Sequence, residues 1–197
     1  TSRVIEDKFA KVPMLMAAWR APERGSKDYW ALTVLGEILT ESESSPLYQA
    51  LVKDAKIALS ASANFPWWTG PFNPGGPELF GLVAKLKPGA GAEAALEAVD
   101  LVLSKLVWSG PSEAHLAAAK TSIEYAWTKD LEQLIARAKT LSSYAAMVGD
   151  PAGLAADFEA LMSVTISDVQ RAVNEWLMSK PRAVVEARPS PDLVLPA

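Results

Sequence analysis

Between Ser44 and Ala63 the hydrophobic period of the chain changes from that of a helix to that of a strand, with only a turn in between. Ser45 can accept from the first free backbone amides as an N-cap, and Pro46 stands at the first helical position, where its missing N–H costs nothing. Leu47, Ala50 and Leu51 then share one helical face, after which Ile57-Ala58-Leu59-Ser60-Ala61-Ser62-Ala63 alternates with a period of two. A short helix that runs straight into a strand calls for a sheet with helices laid against it.

The rest of the chain fits that architecture. Val12 to Trp19 is a short apolar run stopped by Ala21-Pro22-Glu23-Arg24-Gly25, which favours a buried strand. Ser26 caps a helix through about Leu39, with Tyr29, Leu32, Val34, Leu35, Ile38 and Leu39 as its apolar stripe. Pro66 to Pro77, rich in proline and glycine, reads as a loop between the strand ending at Phe65 and a second strand, Glu78 to Lys87. An amphipathic helix runs from Ala92 to about Trp108 and stops at Gly110-Pro111. Ser112 opens a long helical stretch to Gly149, with a bend expected near Thr128 to Leu131. Asp150-Pro151 restarts a helix to about Met162, and Ser167-Asp168-Val169-Gln170 has the form of a capping box ahead of Val173, Trp176 and Leu177. Ala183 to Ala187 is the last strand. The order is α+β, a mainly antiparallel sheet of about four main strands with helices packed on one face. Residues 1–190 are read as one domain, and Pro191 and Pro196 fall in a flexible tail, 191–197.

Composition removes several classes of function. A net charge of -4 with scattered Lys and Arg leaves no electrostatic footprint for nucleic acid. The absence of cysteine excludes disulfides, thiolate nucleophiles and Cys-ligated metals, and leaves the compartment open between cytoplasm and periplasm. No apolar run reaches the roughly twenty residues of a membrane helix, and the opening Thr1-Ser2-Arg3-Val4-Ile5-Glu6-Asp7-Lys8 lacks the apolar centre of a signal peptide. That opening reads as the middle of a longer polypeptide.

Catalytic groupings are missing as well. The one histidine, His115, lies in a first helical turn as Ser112-Glu113-Ala114-His115, with no second His to complete a His-x-x-Glu-His zinc site, so it is read as a surface side chain and not a ligand. There is no Gly-x-Ser-x-Gly elbow, and Ser44, Ser45, Ser60 and Ser62 serve as caps and strand surface. Glu41 and Glu43 flank a turn without a neighbour to raise either pKa. Gly75-Gly76 and Gly89-Ala90-Gly91 lack phosphate-cradle spacing, and the first pair is a turn. Trp67, Trp68 and Phe72 sit in the Pro/Gly loop, either as a lid packed on the fold or as an apolar docking surface, with packing or a domain–domain contact favoured. Trp108, Trp127 and Trp176 fall within helices as core or interdomain anchors.

The segment from Ser44 to Ala63 resembles the C-terminal, non-catalytic domain of the M16 (pitrilysin or insulinase-like) zinc metallopeptidases, in which a serine turn followed by Leu and Tyr or Phe leads into such a helix and strand. Met16-Ala17-Ala18-Trp19-Arg20-Ala21-Pro22 is similar to the end of the family's first strand. Tyr29 to Leu39 resembles its next helix, Lys87-Pro88-Gly89 its break before a helix, and Ala118-Ala119-Lys120, Gly149-Asp150-Pro151 and Val164 to Val169 its later helices.

The resemblance implies paired α+β domains closing into a clamshell chamber for peptide substrates, with zinc held by His-x-x-Glu-His and a further Glu in a catalytic partner domain, in the same chain or another subunit. It implies no metal in this chain, no catalytic residue, and a role in proteolysis as a wall of that chamber. In active assemblies such a partner contributes an Arg and, seven residues later, a Tyr that hold the substrate backbone. Aligned through Leu51, those positions are Val52 and Leu59, neither of which can donate a hydrogen bond. Tyr48, Val52 and Leu59 are the candidate substrate contacts, and Trp67, Trp68 and Phe72 the candidate interdomain surface. The alternative is a scaffolding or peptide-binding subunit of a protease-like assembly that has lost activity.

Overall fold

The computed structural model describes residues 1–40, 42–72 and 78–190. Glu41, the Gly75-Gly76 turn and the 191–197 tail lie outside the described residues. Five strands form one sheet: β1 (Ser2–Asp7), β2 (Met14–Arg20), β3 (Ala58–Asn64), β4 (Leu79–Leu86) and β5 (Arg182–Pro189), in the spatial order β1-β5-β2-β4-β3. All neighbours are antiparallel except β1 and β5.

The four strands expected from alternation are present, and β1 joins them as an edge strand. Five of its six residues are exposed, so it carries no alternation to read. The antiparallel β3–β4 pair also forms as expected, with a bulge that leaves Leu59 between the paired Ala58 and Ser60.

Alternation along the strands separates two faces. Leu15, Ala17 and Trp19 of β2 and Phe80, Leu82, Ala84 and Leu86 of β4 are all buried. Against them lies α1 (Lys27–Thr40), where ten of fourteen residues are buried, so this helix is enclosed on nearly every side. Ser26 caps it, accepting from the Tyr29 amide at 3.2 Å. Gly36 is where α1 approaches the end of β3 most closely: a Cβ there would stand 3.3 Å from the Phe65 amide nitrogen.

α2 (Pro46–Tyr48) continues as a π-helical turn, Gln49–Asp54. Ser45 does precede α2, but its hydroxyl accepts from the Ser42 amide at 2.9 Å and makes no helix cap. The side chain closes the preceding turn instead, as short hydroxyl residues readily do.

α3 (Ala92–Ser109) covers the sheet beside α1 and ends at Gly110, whose positive φ and lack of a side chain admit Ile166. α4 (Glu113–Glu132) starts on Ser112, which accepts from the His115 amide. The bend expected near Thr128 to Leu131 comes slightly later, at Gln133, and α5 (Leu134–Met147) follows. α6 (Gly153–Met162) and α7 (Ile166–Ala172), the latter with a π-helical continuation Val173–Met178, complete the helical layer.

The capping box of α7 is displaced from its expected place. Thr165, not Ser167, is the N-cap, and its partner is Asp168, which accepts from the Thr165 amide and hydroxyl at 2.9 and 2.6 Å. Starting at Ile166 places Val169, Ala172 and Val173 in the core, which decides the register.

Candidate interaction face

The helices cover one side of the sheet; among the described residues no helix lies on its other side, and the strand register defines what that side displays. Met16 lies between Val83 and Val185, and Ala18 between Gly81 and Ala183. Met14, Met16, Ala18, Val83 and Val185 are only half-buried, although all are apolar. Ser60, Ser62, Asn64 and Lys85 border this strip on the β3 side.

Trp67 lies across the open face on Gly81, in space that a side chain would fill. A Cβ at Gly81 would fall 1.6 Å from Trp67 Cε3, far inside carbon–carbon contact at about 3.5–4.0 Å. The Trp67 amide donates to the Leu79 carbonyl at 3.1 Å, which fixes the backbone under the ring. Trp68 stacks on Trp67, with centroids 5.6 Å apart and planes inclined by 28°, and is 75% exposed. The two rings make a platform on the sheet whose outer member faces solvent.

Phe72, at the other end of the same loop, turns inward. It packs against Trp30, Trp127 and Phe158, so the loop residues divide between a docked end and an exposed end. The docked end is latched by Arg24, which donates to the Pro71 carbonyl at 2.8 Å and to Asp157 Oδ2 at 2.7 Å, and also reaches the hydroxyls of Tyr29 and Tyr144. Its guanidinium lies over the rings of Tyr29, Trp30 and Tyr144 at 5.3–5.6 Å. Burial pushes the Tyr29 phenol up to about 12. Burial, and then donation to Asp157, raise that of Tyr144. Both hydroxyls therefore stay protonated donors at neutral pH.

The candidate substrate contacts lie at the β3 edge. Tyr48 is half-buried with the Lys53 ammonium 5.5 Å from its ring centroid, Val52 packs against the core, and Leu59 is 50% exposed on the bulge. Trp108, read as an anchor, is 87% exposed and stands outside the core. Trp127 stacks on Phe158 at 4.0 Å, and Trp176 donates to Asp28 Oδ2 at 3.1 Å. Two participants were not singled out from sequence, Gly81 and Arg24. A glycine inside an alternating strand is a weak signal of close approach, whereas nothing local marks an arginine whose partners lie up to 133 residues away.

Among the described residues no three His, Asp or Glu side chains converge to hold a metal ion. His115 is half-buried on α4. No described helix is long and apolar enough to cross a membrane.

A profile of the family described as "Peptidase M16 inactive domain" matches residues 1–123, well over half of the chain. The chain belongs to this family. The M16 inactive-domain fold recurs in solved structures. One is the inactive peptidase domain of a "putative zinc protease" from Bordetella parapertussis, with 25% identity, 91% of each chain covered and a TM-score of 0.80. A second, named a "putative zinc protease", comes from Bordetella pertussis Tohama I, with 26% identity over 91% of this chain and 96% of that one and a TM-score of 0.78. A protease from Helicobacter pylori has the same fold at 22% identity and a TM-score of 0.80; 95% of this chain is covered, but it spans only 44% of that protein. No curated protein sequence matches the chain. The chain is thus an inactive M16 peptidase domain of the kind found in zinc-protease-like proteins.

Proposed function

We propose that this domain forms a wall of the clamshell chamber of an M16 zinc metallopeptidase, in which a catalytic M16 domain, in the same chain or in a partner subunit, supplies the zinc and cuts the peptide. The reading rests on one observation above all: an apolar sheet face without helices, carrying a fixed Trp67–Trp68 platform. A half-buried apolar strip of this kind marks an interaction or binding surface.

In this reading the open face and Trp68 turn toward the chamber and the catalytic domain. Tyr48, Val52 and Leu59 would contact the peptide by apolar surface. Val52 and Leu59 carry no hydrogen-bond donor toward a peptide carbonyl or a tetrahedral oxyanion, so the domain shapes and encloses substrate without acting on the scissile bond.

The test is reconstitution. The purified chain, alone and mixed with the zinc-bearing M16 domain that accompanies it, is assayed for bound zinc and for peptide hydrolysis. Hydrolysis only in the mixture, weakened by Trp68→Ala, is the expected result. Stoichiometric zinc with hydrolysis by the chain alone would refute the reading, and an accompanying domain without His-x-x-Glu-His would favour a scaffolding subunit.

A further inference from the structure

β1 is an edge of the sheet, and half of its backbone hydrogen-bonding groups point away from the molecule. The Val184 amide donates to the Thr1 carbonyl at 2.8 Å and the Ser190 amide to the Asp7 carbonyl at 3.1 Å, so the odd-numbered residues turn their polar groups toward β5. Ser2, Val4 and Glu6, one residue out of step, turn their amides and carbonyls outward, where no described strand pairs with them. Five of the six residues of β1 are exposed, Val4 by 51% and Ile5 by 39%. An unpaired edge without proline, with two apolar side chains at its centre, is a template for another strand.

The side chains restrict which strand fits. Ile5, Ala187 and Met14 stand in one row across the β1–β5 and β5–β2 pairs, so Arg3, Ile5 and Asp7 project on the open face of the sheet. Two antiparallel copies of β1 related by a two-fold axis must pair residues of equal parity, because opposed side chains share a face. With the axis at Val4, each Arg3 would stand against the partner's Ile5, a poor match. With the axis at Ile5, the two Ile5 side chains meet and each Arg3 stands opposite the partner's Asp7. In that register Val4 and the partner's Glu6 exchange their outward amides and carbonyls, while Arg3 and the partner's Asp7 form the type of pair in which opposed side chains come closest. Asp7 Oδ1 accepts from the Phe9 amide at 2.8 Å, which holds the carboxylate at the end of the strand.

We propose that a second copy of this chain pairs antiparallel on β1, centred on Ile5, joining two five-stranded sheets into one of ten strands with an Arg3–Asp7 ion pair at each end of the contact. The strand itself selects this occupant: a basic end, an apolar centre and an acidic end are complementary to the same strand reversed. The pairing stands apart from the chamber reading. Its two-fold axis runs perpendicular to the sheet, so both open faces and both Trp68 rings lie on one side and stay uncovered.

The experiment is sedimentation equilibrium of the purified chain. The Bordetella structures, of which this chain covers 91% and 96%, show that a unit of this span stands as a chain by itself. A contact one strand long lies at the low end of interface sizes, so half-association is expected at about 10–100 μM. Arg3→Asp and Asp7→Arg each set like charges against each other at both ends, and each should weaken self-association about 10-fold or more. Mixed together, the two variants restore opposite charges at both ends, and the mixture should associate as the original chain does, which also shows that both are folded. Val4→Pro removes an outward amide that only the dimer uses, and should abolish association with little change in the urea midpoint. A chain that stays monomeric at about 300 μM overturns the proposal, being several-fold above the expected range. So does a dimer that these variants leave intact, one that the mixture fails to restore, or one that Trp68→Ala or Leu141→Glu dissociates instead.

Discussion

Replacing Gly81 by Ala tests the Trp67–Trp68 platform most directly. The new methyl group would meet three atoms of the Trp67 ring at 1.6–2.1 Å, so the ring must retreat by roughly 2 Å to regain ordinary contact. The strand cannot do the moving, since Gly81 is paired with Ala18 on one side and Asn64 on the other. Swinging out a half-buried Trp forfeits about 1–1.5 kcal/mol of burial, and the lost stacking on Trp68 about 0.5–1 kcal/mol more. Against this, Ala in an extended strand narrows the unfolded ensemble and returns about 0.5–1 kcal/mol. The expected net destabilisation is about 1 kcal/mol, or about 2–4 °C in Tm for a domain of this size. Urea unfolding measures it, and fluorine NMR of 5-fluorotryptophan protein shows where it acts: of the seven tryptophan resonances, those of Trp67 and Trp68 should move most. The decisive control is Trp67→Ala, in whose background Gly81→Ala should become neutral or stabilising. An equal cost of Gly81→Ala in both backgrounds would refute the argument, because the clash would then not be with the Trp67 ring.

Arg24→Met keeps much of the aliphatic stem but strips Asp157 and the Pro71 carbonyl of their guanidinium donor; with side chains only 17% and 23% exposed in that ion pair, a loss of about 2–4 kcal/mol is expected in chemical denaturation. Leu35→Ala, at a fully buried position of α1, should cost about 3–5 kcal/mol and lower the urea midpoint without changing the slope. Asp168 gives a pH dependence. Burial would raise its carboxyl, but hydrogen bonds from Thr165 and Arg171 outweigh this and hold it at about 2 in the folded chain against 3.8 in the unfolded one. A depressed folded pKa gives stability that is complete above the unfolded value and is lost as pH falls from about 4 toward 2. After discounting for solvent screening it is worth about 1 kcal/mol, and Asp168→Asn should flatten stability across that window.

The parts of the fold that were legible in the sequence are those whose pattern one surface dictates. β2 and β4 alternate because one face is sealed by α1 and α3 while the other is half-open, and the two-residue period follows directly. β1 was invisible for the opposite reason, since an exposed edge strand has no buried set to reveal. The capping box is ambiguous in sequence because both Thr165-x-x-Asp168 and Ser167-x-x-Gln170 satisfy the local chemistry, and only the burial of Val169 and Val173 distinguishes them. At the candidate site the aromatic loop could be picked out by composition, but its division could not. Trp68 outside and Phe72 inside depend on Gly81 and Arg24, contacts made across long stretches of chain. α5 is similar: its periodicity marks a helix, and only tertiary packing reveals that Leu134, Ala138 and Leu141 point away from the core.

β5 lies between β1 and β2, so that Val184 has Ser2 on one side and Ala17 on the other. In vectorial synthesis the two walls of this slot emerge early and the strand that fills it comes roughly 170 residues later, a delay of about 10–30 s at ordinary elongation rates. Throughout that interval β2, with Leu15, Ala17 and Trp19 along it, keeps one ladder edge unpaired. Any extended segment that occupies the slot first competes with β5. Premature termination ahead of Arg182 would therefore yield not a slightly smaller domain but an adhesive one, a natural client for chaperones.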